Sequence, residues 1–111
     1  MDAHVDVRPD GVAILHLRGR LDLVTAPRVK ELLAKTVAEG HPRLVVDLAE
    51  VSFIDSSGLG ALISGLKAAR VAGGDLRLAR VGEQGRVVLG LTTLDRVLRP
   101  YATVEEALAG Y

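Results

Sequence analysis

The stretch that decides the fold is Leu44-Val45-Val46-Asp47-Leu48, followed by Val51-Ser52-Phe53-Ile54-Asp55-Ser56-Ser57-Gly58-Leu59-Gly60. The first five residues form a short apolar run with Gly40 and Pro42 just upstream. A run of that length and type predicts a buried central strand, covered on both faces. Phe53 and Ile54 add to its end. From Ser57 to about Ala72 the period changes, and Leu59, Leu62, Ile63 and Leu66 fall on one helical stripe. Gly73-Gly74 stops that helix. Asp55-Ser56-Ser57-Gly58 therefore joins the end of a buried strand to the start of a helix.

Upstream of the central strand, Thr25 reads as an N-cap, with Pro27 in the first turn, where its missing N–H costs nothing. The helix it opens runs to about Glu39, with Val29, Leu32, Leu33 and Val37 on one face. Before it, His4 to Arg8 and Val12 to Arg18 read as two strands joined by the turn Pro9-Asp10-Gly11, a hairpin. Gly19 ends the second strand, and Arg20 to Val24 form a connector with room to continue the sheet edge. Downstream, Leu76 to Val81 reads as a strand, Glu83 to about Leu91 as a helix with Val87, Val88 and Leu91 inward, and Val97 to Tyr101 as a last strand weakened by Pro100. Thr103 and Glu106 match a capping box that opens a short helix ending at Leu108. The order is β-β-α-β-α-β-α-β-α. Strands joined by helices imply parallel neighbours and right-handed crossovers. The expected fold is α/β, a mixed sheet of four to five strands with helices packed on it, in one domain spanning residues 1–111.

Composition narrows the function. Lys plus Arg equals Asp plus Glu at 14 each, which argues against a general nucleic-acid binder, since that needs an excess of cations. There is no cysteine, so disulfides, thiolate catalysis and cysteine-ligated metals are excluded. This suits a cytoplasmic protein. No signal-like segment opens the chain, and no apolar run reaches the ~20 residues of a membrane span. Aromatic residues are only 3%, so the core must be built from Leu, Val, Ile and Ala.

The loop carries the chemistry. In open α/β sheets, sites collect at the carboxyl ends of strands. A helix start exposes unpaired N–H groups and a partial positive charge. Asp55 can cap the helix, Ser56 or Ser57 can present a hydroxyl outward, and Gly58 and Gly60 allow close approach. Spacing alone leaves two readings, an ordinary helix cap or a functional loop. A serine-nucleophile reading lacks its base: His41 precedes the central strand at the opposite end of the sheet, and His4 and His16 sit on the hairpin. The Gly-x-Ser-x-Gly elbow is absent, and no Lys-Ser or Lys-Thr follows the glycines as in a phosphate-binding loop. No residues stand out as catalytic, as metal ligands or as a cofactor site. Asp47 and Asp55 have no histidine beside them in sequence and read as solvated or capping carboxylates.

With these residues in view, the sequence resembles the STAS domain of bacterial anti-sigma factor antagonists. The resemblance rests on the central strand and the Asp55-Ser56-Ser57-Gly58-Leu59-Gly60 segment, on Gly19-Arg20-Leu21-Asp22 with Thr25-Ala26-Pro27, and on the ending from Leu94-Asp95-Arg96-Val97 to Glu105-Glu106-Ala107-Leu108. It covers nearly the whole chain. Arg20 departs from it where many members carry an acid, and Thr92-Thr93-Leu94 replaces a commoner Thr-Gly-Leu or Ser-Gly-Leu. The resemblance implies a partner switch without catalysis in this chain. The unphosphorylated antagonist binds an anti-sigma factor that is also an ATP-dependent serine kinase, and this frees a sigma factor. The kinase phosphorylates the serine after the loop acid, here Ser56, and a metal-dependent serine/threonine phosphatase reverses it. Asp22, Asp55, Ser57, Gly58, Leu59 and Gly60 are implied as the partner-binding surface, with neither nucleic acid nor membrane contacted. STAS domains also serve in signalling scaffolds and as subunits of lipid-transport ATPases, so a structural interaction role is the alternative.

Overall fold

The computed structural model describes residues 1–111. Five strands form one sheet in sequence order: β1 (Asp2–Val7), β2 (Ala13–Leu21), β3 (Arg43–Ile54), β4 (Asp75–Ala79) and β5 (Pro100–Tyr101). β1 pairs antiparallel with β2, and every later pair is parallel. The helices are α1 (Ala26–Ala38), α2 (Ser56–Val71), α3 (Glu83–Leu91) and α4 (Val104–Leu108). This is the α/β order expected from the sequence.

The topology dictates where the helices lie. Each parallel step moves one strand further in the same direction, so right-handed crossovers put α1, α2 and α3 on one face. Period-two alternation aims Leu15 and Leu17 of β2, Leu44, Val46 and Leu48 of β3, and Leu76 and Leu78 of β4 at those helices. They meet Val29 and Leu33 of α1, Leu59, Leu62 and Leu66 of α2, and Leu89 of α3 in the main core. Each fully buried leucine contributes roughly 2 kcal/mol of transfer free energy.

The other face is covered only at its lower half. There Val12, Ile14, Val45 and Ala79 pack under Ala107 of α4. Tyr111 ties this cover down. Its hydroxyl lies against the Leu44 and Asp75 carbonyls and accepts from the Leu44 N–H at 3.0 Å, while Arg77 sits 4.0 Å from the ring centre. Burial pushes that hydroxyl's pKa above its ordinary value. β3 is thus covered on both faces along only part of its length, and Asp47 lies where the second cover ends.

Several local expectations change. β2 does not end at Gly19; it continues to Leu21, with register shifts on both sides of Gly19, whose φ of +110° an L side chain rarely adopts. β3 continues through residues 49–52 because Glu50 and Val51 pair with Arg18 and Gly19 of the lengthened β2. The last strand shrinks to two residues. Leu94–Arg96 form a 3₁₀ turn, and the N–H groups of Val97 and Leu98 bond the Leu94 carbonyl instead of a ladder. Thr25 stands at the N-cap position without capping α1, because its hydroxyl donates to the Arg20 carbonyl at 2.7 Å and accepts from the Asp22 N–H at 3.0 Å. Thr103 does cap α4, accepting from the Glu106 N–H at 3.0 Å.

Candidate functional site

α2 begins at Ser56, one residue earlier than the sequence placed the helix start, and Asp55 alone joins it to β3. Asp55 is extended and caps α2: its Oδ1 accepts from the Gly58 N–H at 2.9 Å. Ser56 is therefore the first helical residue, and it is exposed. The N–H groups of Ser56 and Ser57 point out of the first turn without a partner in the chain, as helix geometry requires.

The β2–α1 loop lies alongside. The second Asp55 oxygen accepts from the Leu23 N–H at 3.2 Å, and the Asp55 N–H donates to the Leu21 carbonyl at 3.2 Å. Asp22 folds its own loop. Its Oδ1 accepts from the Val24 and Thr25 N–H groups at 3.1 and 3.2 Å, and its Oδ2 takes the Arg20 Nε–H at 3.2 Å. Partial burial works to raise the Asp22 carboxyl, but the bonds from Thr25, Arg20 and Val24 outweigh it and hold the pKa below the ordinary range. Asp22 and the adjacent pair Asp55-Ser56, far from it in sequence, thus share one end of the sheet.

Not every residue of the expected surface reaches solvent. Gly58 and Leu59 are buried, the latter 1% exposed. A Cβ on Gly58 would lie 2.3 Å from the Leu21 carbonyl oxygen, so this glycine lets the first turn of α2 press onto the end of β2. Leu59 belongs to the main core. Both shape the loop from within, which corrects the expectation that they face a partner. Ser57 and Gly60 instead line a shallow groove of about 360 Å³ between the starts of α1 and α2, together with Leu23, Pro27 and Lys30.

Two residues at this end carry no motif signal. Leu23 and Val24 are 72% and 85% exposed, the apolar tip of a loop whose carboxylate, Asp22, is turned inward. The available signal was composition: two apolar residues in a connector, outside any strand or helix period. Gln84, at the start of α3, also reaches the loop, bonding both the N–H and the carbonyl of Ile54 at 2.9 and 2.7 Å.

The histidines lie elsewhere. His41 Nδ1 is 3.2 Å from the Gly11 carbonyl at the opposite end of the sheet. His16 pairs in register with Asp47, and its Nδ1 lies 2.7 Å from Asp47 Oδ2. Arg80 reaches both Asp47 oxygens, Nε to Oδ1 at 3.0 Å and Nη2 to Oδ2 at 2.5 Å. The Asp47 side chain is 4% exposed. Burial works to raise its carboxyl, yet the bonds from Arg80, His16 and the Ala49 N–H leave its pKa below the ordinary range. Asp47 is therefore neither solvated nor a cap, contrary to the sequence expectation. The histidine comes from β2 and the arginine from the residue just past β4, which linear spacing does not show. No hydroxyl nucleophile stands at this centre, and no histidine stands at Ser56.

The comparisons with known proteins agree with this geometry. Residues 5–107 match the family model described as the STAS domain. The chain is 33% identical over 103 residues to the anti-sigma-F factor antagonist RsfB of Mycobacterium tuberculosis, covering 91% of this chain and 82% of that one. The crystal structure of an anti-sigma factor antagonist from Mycobacterium paratuberculosis superposes with a TM-score of 0.84 at 32% identity, over 96% of this chain and 90% of that one. SpoIIAA, 20% identical, shares the fold in its unphosphorylated form with a TM-score of 0.81 over 96% and 93% of the two chains. Its phosphorylated form, from Bacillus, gives 0.73 over 96% of each chain. The sheet order, the capped β3–α2 loop and the match over 5–107 lead to one conclusion: the chain belongs to the STAS domain family, among the anti-sigma factor antagonists.

Proposed function

We propose that the protein is a partner switch controlled at Ser56. The unphosphorylated form binds an anti-sigma factor that is also an ATP-dependent serine kinase, and a sigma factor is released. Phosphorylation of Ser56 ends the binding, and a metal-dependent serine/threonine phosphatase restores it. The protein acts in the cytoplasm as a binding protein, with no reaction of its own and no direct contact with nucleic acid or membrane.

The observation that carries this reading is the position of Ser56: an exposed hydroxyl on the first residue of α2, beside the exposed apolar tip Leu23-Val24. The helix start and the free Ser56 and Ser57 N–H groups accommodate a phosphate without unfolding. The phosphate adds about −1.5 to −2 charges next to Asp55 and near Asp22. A partner that covers Leu23 and Val24 would then have to desolvate a dianion amid carboxylates. A loss of ~3 kcal/mol there weakens binding more than a hundredfold. SpoIIAA, which has this fold, is known in both phosphorylated and unphosphorylated forms.

The test is incubation with the cognate kinase and ATP, followed by mass spectrometry and binding measurements. One phosphate on Ser56 is expected. Ser56→Asp should bind the kinase at least a hundredfold more weakly than Ser56→Ala. The proposal fails if Ser56 takes no phosphate, or if both variants bind like the wild type.

A further inference from the structure

The Ser56 loop is braced from two sides, and the two braces differ in kind. On the β2 side the main chain holds it: the Asp55 N–H bonds the Leu21 carbonyl, and Asp55 reaches the Leu23 N–H. On the other side there is no strand. β4 leaves β3 at the pair Asp47–Ala79, so residues 48–54 of β3 run on without a neighbour there. The peptide groups of Ile54 would face that gap.

A single side chain fills it. The Gln84 amide accepts from the Ile54 N–H at 2.9 Å and donates to the Ile54 carbonyl at 2.7 Å. It supplies the donor and acceptor that a further strand would have supplied. The start of α3 is pressed close enough for this because residue 85 is glycine. A Cβ there would lie 2.8 Å from Val81 Cγ1 and 3.0 Å from Ile54 Cδ1. Gln84 is itself exposed, so packing does not account for its orientation; the two bonds to Ile54 do.

We infer that Gln84 is a positioning residue for Ser56, an amide clamp on Ile54 that fixes where the β3–α2 loop presents its hydroxyl. This rests on the phosphorylation reading above. The docking tip, Leu23-Val24, is folded by Asp22, whose bonds to the Val24 and Thr25 N–H groups lie outside the clamped segment. Loosening the clamp should therefore disturb presentation of Ser56 to the kinase more than docking. That predicts a fall in kcat with little change in KM.

The experiment compares the wild type with Gln84→Met, which keeps length but removes both bonds, and with Gln84→Glu, which keeps the acceptor but loses the donor. Amide hydrogen exchange at Ile54 and Asp55 is measured without any kinase. In Gln84→Met it should rise about tenfold or more while exchange in α1 and β2 stays unchanged. Steady-state phosphorylation of Ser56 by the kinase with ATP should show kcat down about tenfold and KM within about twofold. Gln84→Glu should fall between the wild type and Gln84→Met in both assays. Unchanged exchange at Ile54 overturns the clamp, whatever Ser56 does. Normal kcat in a Gln84→Met chain with raised exchange overturns the positioning role. A wild-type chain that takes no phosphate on Ser56 defeats the phosphorylation reading and the positioning role with it, whereas a failure confined to the Gln84 variants leaves that reading standing.

Discussion

Strand β3 buries one carboxylate in its middle, Asp47, and is followed at its end by another, Asp55, and the protein treats them in opposite ways. Asp47 is buried and held by side chains, with the Arg80 guanidinium on both oxygens and His16 on one. Asp55 is half-exposed and takes only main-chain N–H groups, those of Gly58 and Leu23. The first arrangement links β2, β3 and the end of β4. The second links two loops and leaves a hydroxyl free. Charge balanced by charge in a low-dielectric place makes a site that resists change. Charge balanced by peptide dipoles at a helix start makes a site that can receive a further anion at little structural cost. The second kind of site is the one a phosphorylation switch would need, and Ser56, the proposed phosphate acceptor, lies there.

The largest expected effect separates the two directly. Asp47→Asn leaves Arg80 without its counter-charge and His16 without its carboxylate partner. Breaking a buried pair from one side costs about 3 kcal/mol, at the lower end of the usual range because Arg80 is half-exposed and can rehydrate. For a chain of this size that is roughly 10 °C or more in Tm, readable by calorimetry. Ser56→Asp should move Tm by no more than about 2 °C while abolishing partner binding. The pH dependence follows from the lowered pKa of Asp47. Its contribution is complete above the ordinary carboxylate pKa of about 4 and disappears as pH falls through the lower folded value. Denaturant titrations should therefore show a gap between wild type and Asp47→Asn that is constant from about pH 5 to 7 and closes toward pH 2. A gap that persists at pH 2 would mean the loss is one of packing rather than charge.

The contrast also explains what the sequence could reveal. The Asp55 cap was legible because that bond is local, its partner three residues away on a helix that begins at once, whereas its bond to Leu23, 32 residues away, was not. Asp47 was not, because its partners are 31 and 33 residues away and lie beside it only after the strands pair. The element order and the core faces of α1 and α2 followed from period, but that of α3 did not: Val87 and Leu91, read as inward, are 54% and 81% exposed, and Leu89 is the leucine that enters the core. The extension of β2 past Gly19 did not, since a glycine at +110° inside a bulged pair looks like a strand end when read linearly. The burial of Gly58 was hidden for a similar reason. A glycine in a loop suggests open space, and only the crossing of α2 over Leu21 shows that the space is full.

That crossing gives the next prediction, a pair of identical substitutions two residues apart. Gly58→Ala forces a Cβ against the Leu21 carbonyl oxygen, a backbone atom that cannot move without shifting the end of β2. Overpacking of this kind costs about 2 kcal/mol. Gly60 has nothing within 4 Å of an added Cβ, so Gly60→Ala should gain about 0.5 kcal/mol from helix propensity. Urea unfolding of both variants checks the sign reversal. Equal effects would mean that α2 does not sit on Leu21.

The smallest effect probes how Asp55 divides its two oxygens. Asp55→Ala removes the cap of α2 and should cost about 1 kcal/mol in urea unfolding. Asp55→Ser restores a capping oxygen and should recover most of that loss. Serine is too short to hold the Leu23 N–H as well, and that N–H is exposed enough to turn to water at little cost. Stability and binding should therefore part company. If Leu23 and Val24 are the docking tip, the serine variant regains its stability but binds the kinase a few-fold more weakly, because the tip must be ordered again on docking. Recovery of both together would show that the cap alone matters. Loss of binding with intact stability would show that the second oxygen of Asp55 is the one the switch uses, since it ties the surface a partner covers to the residue that phosphate alters.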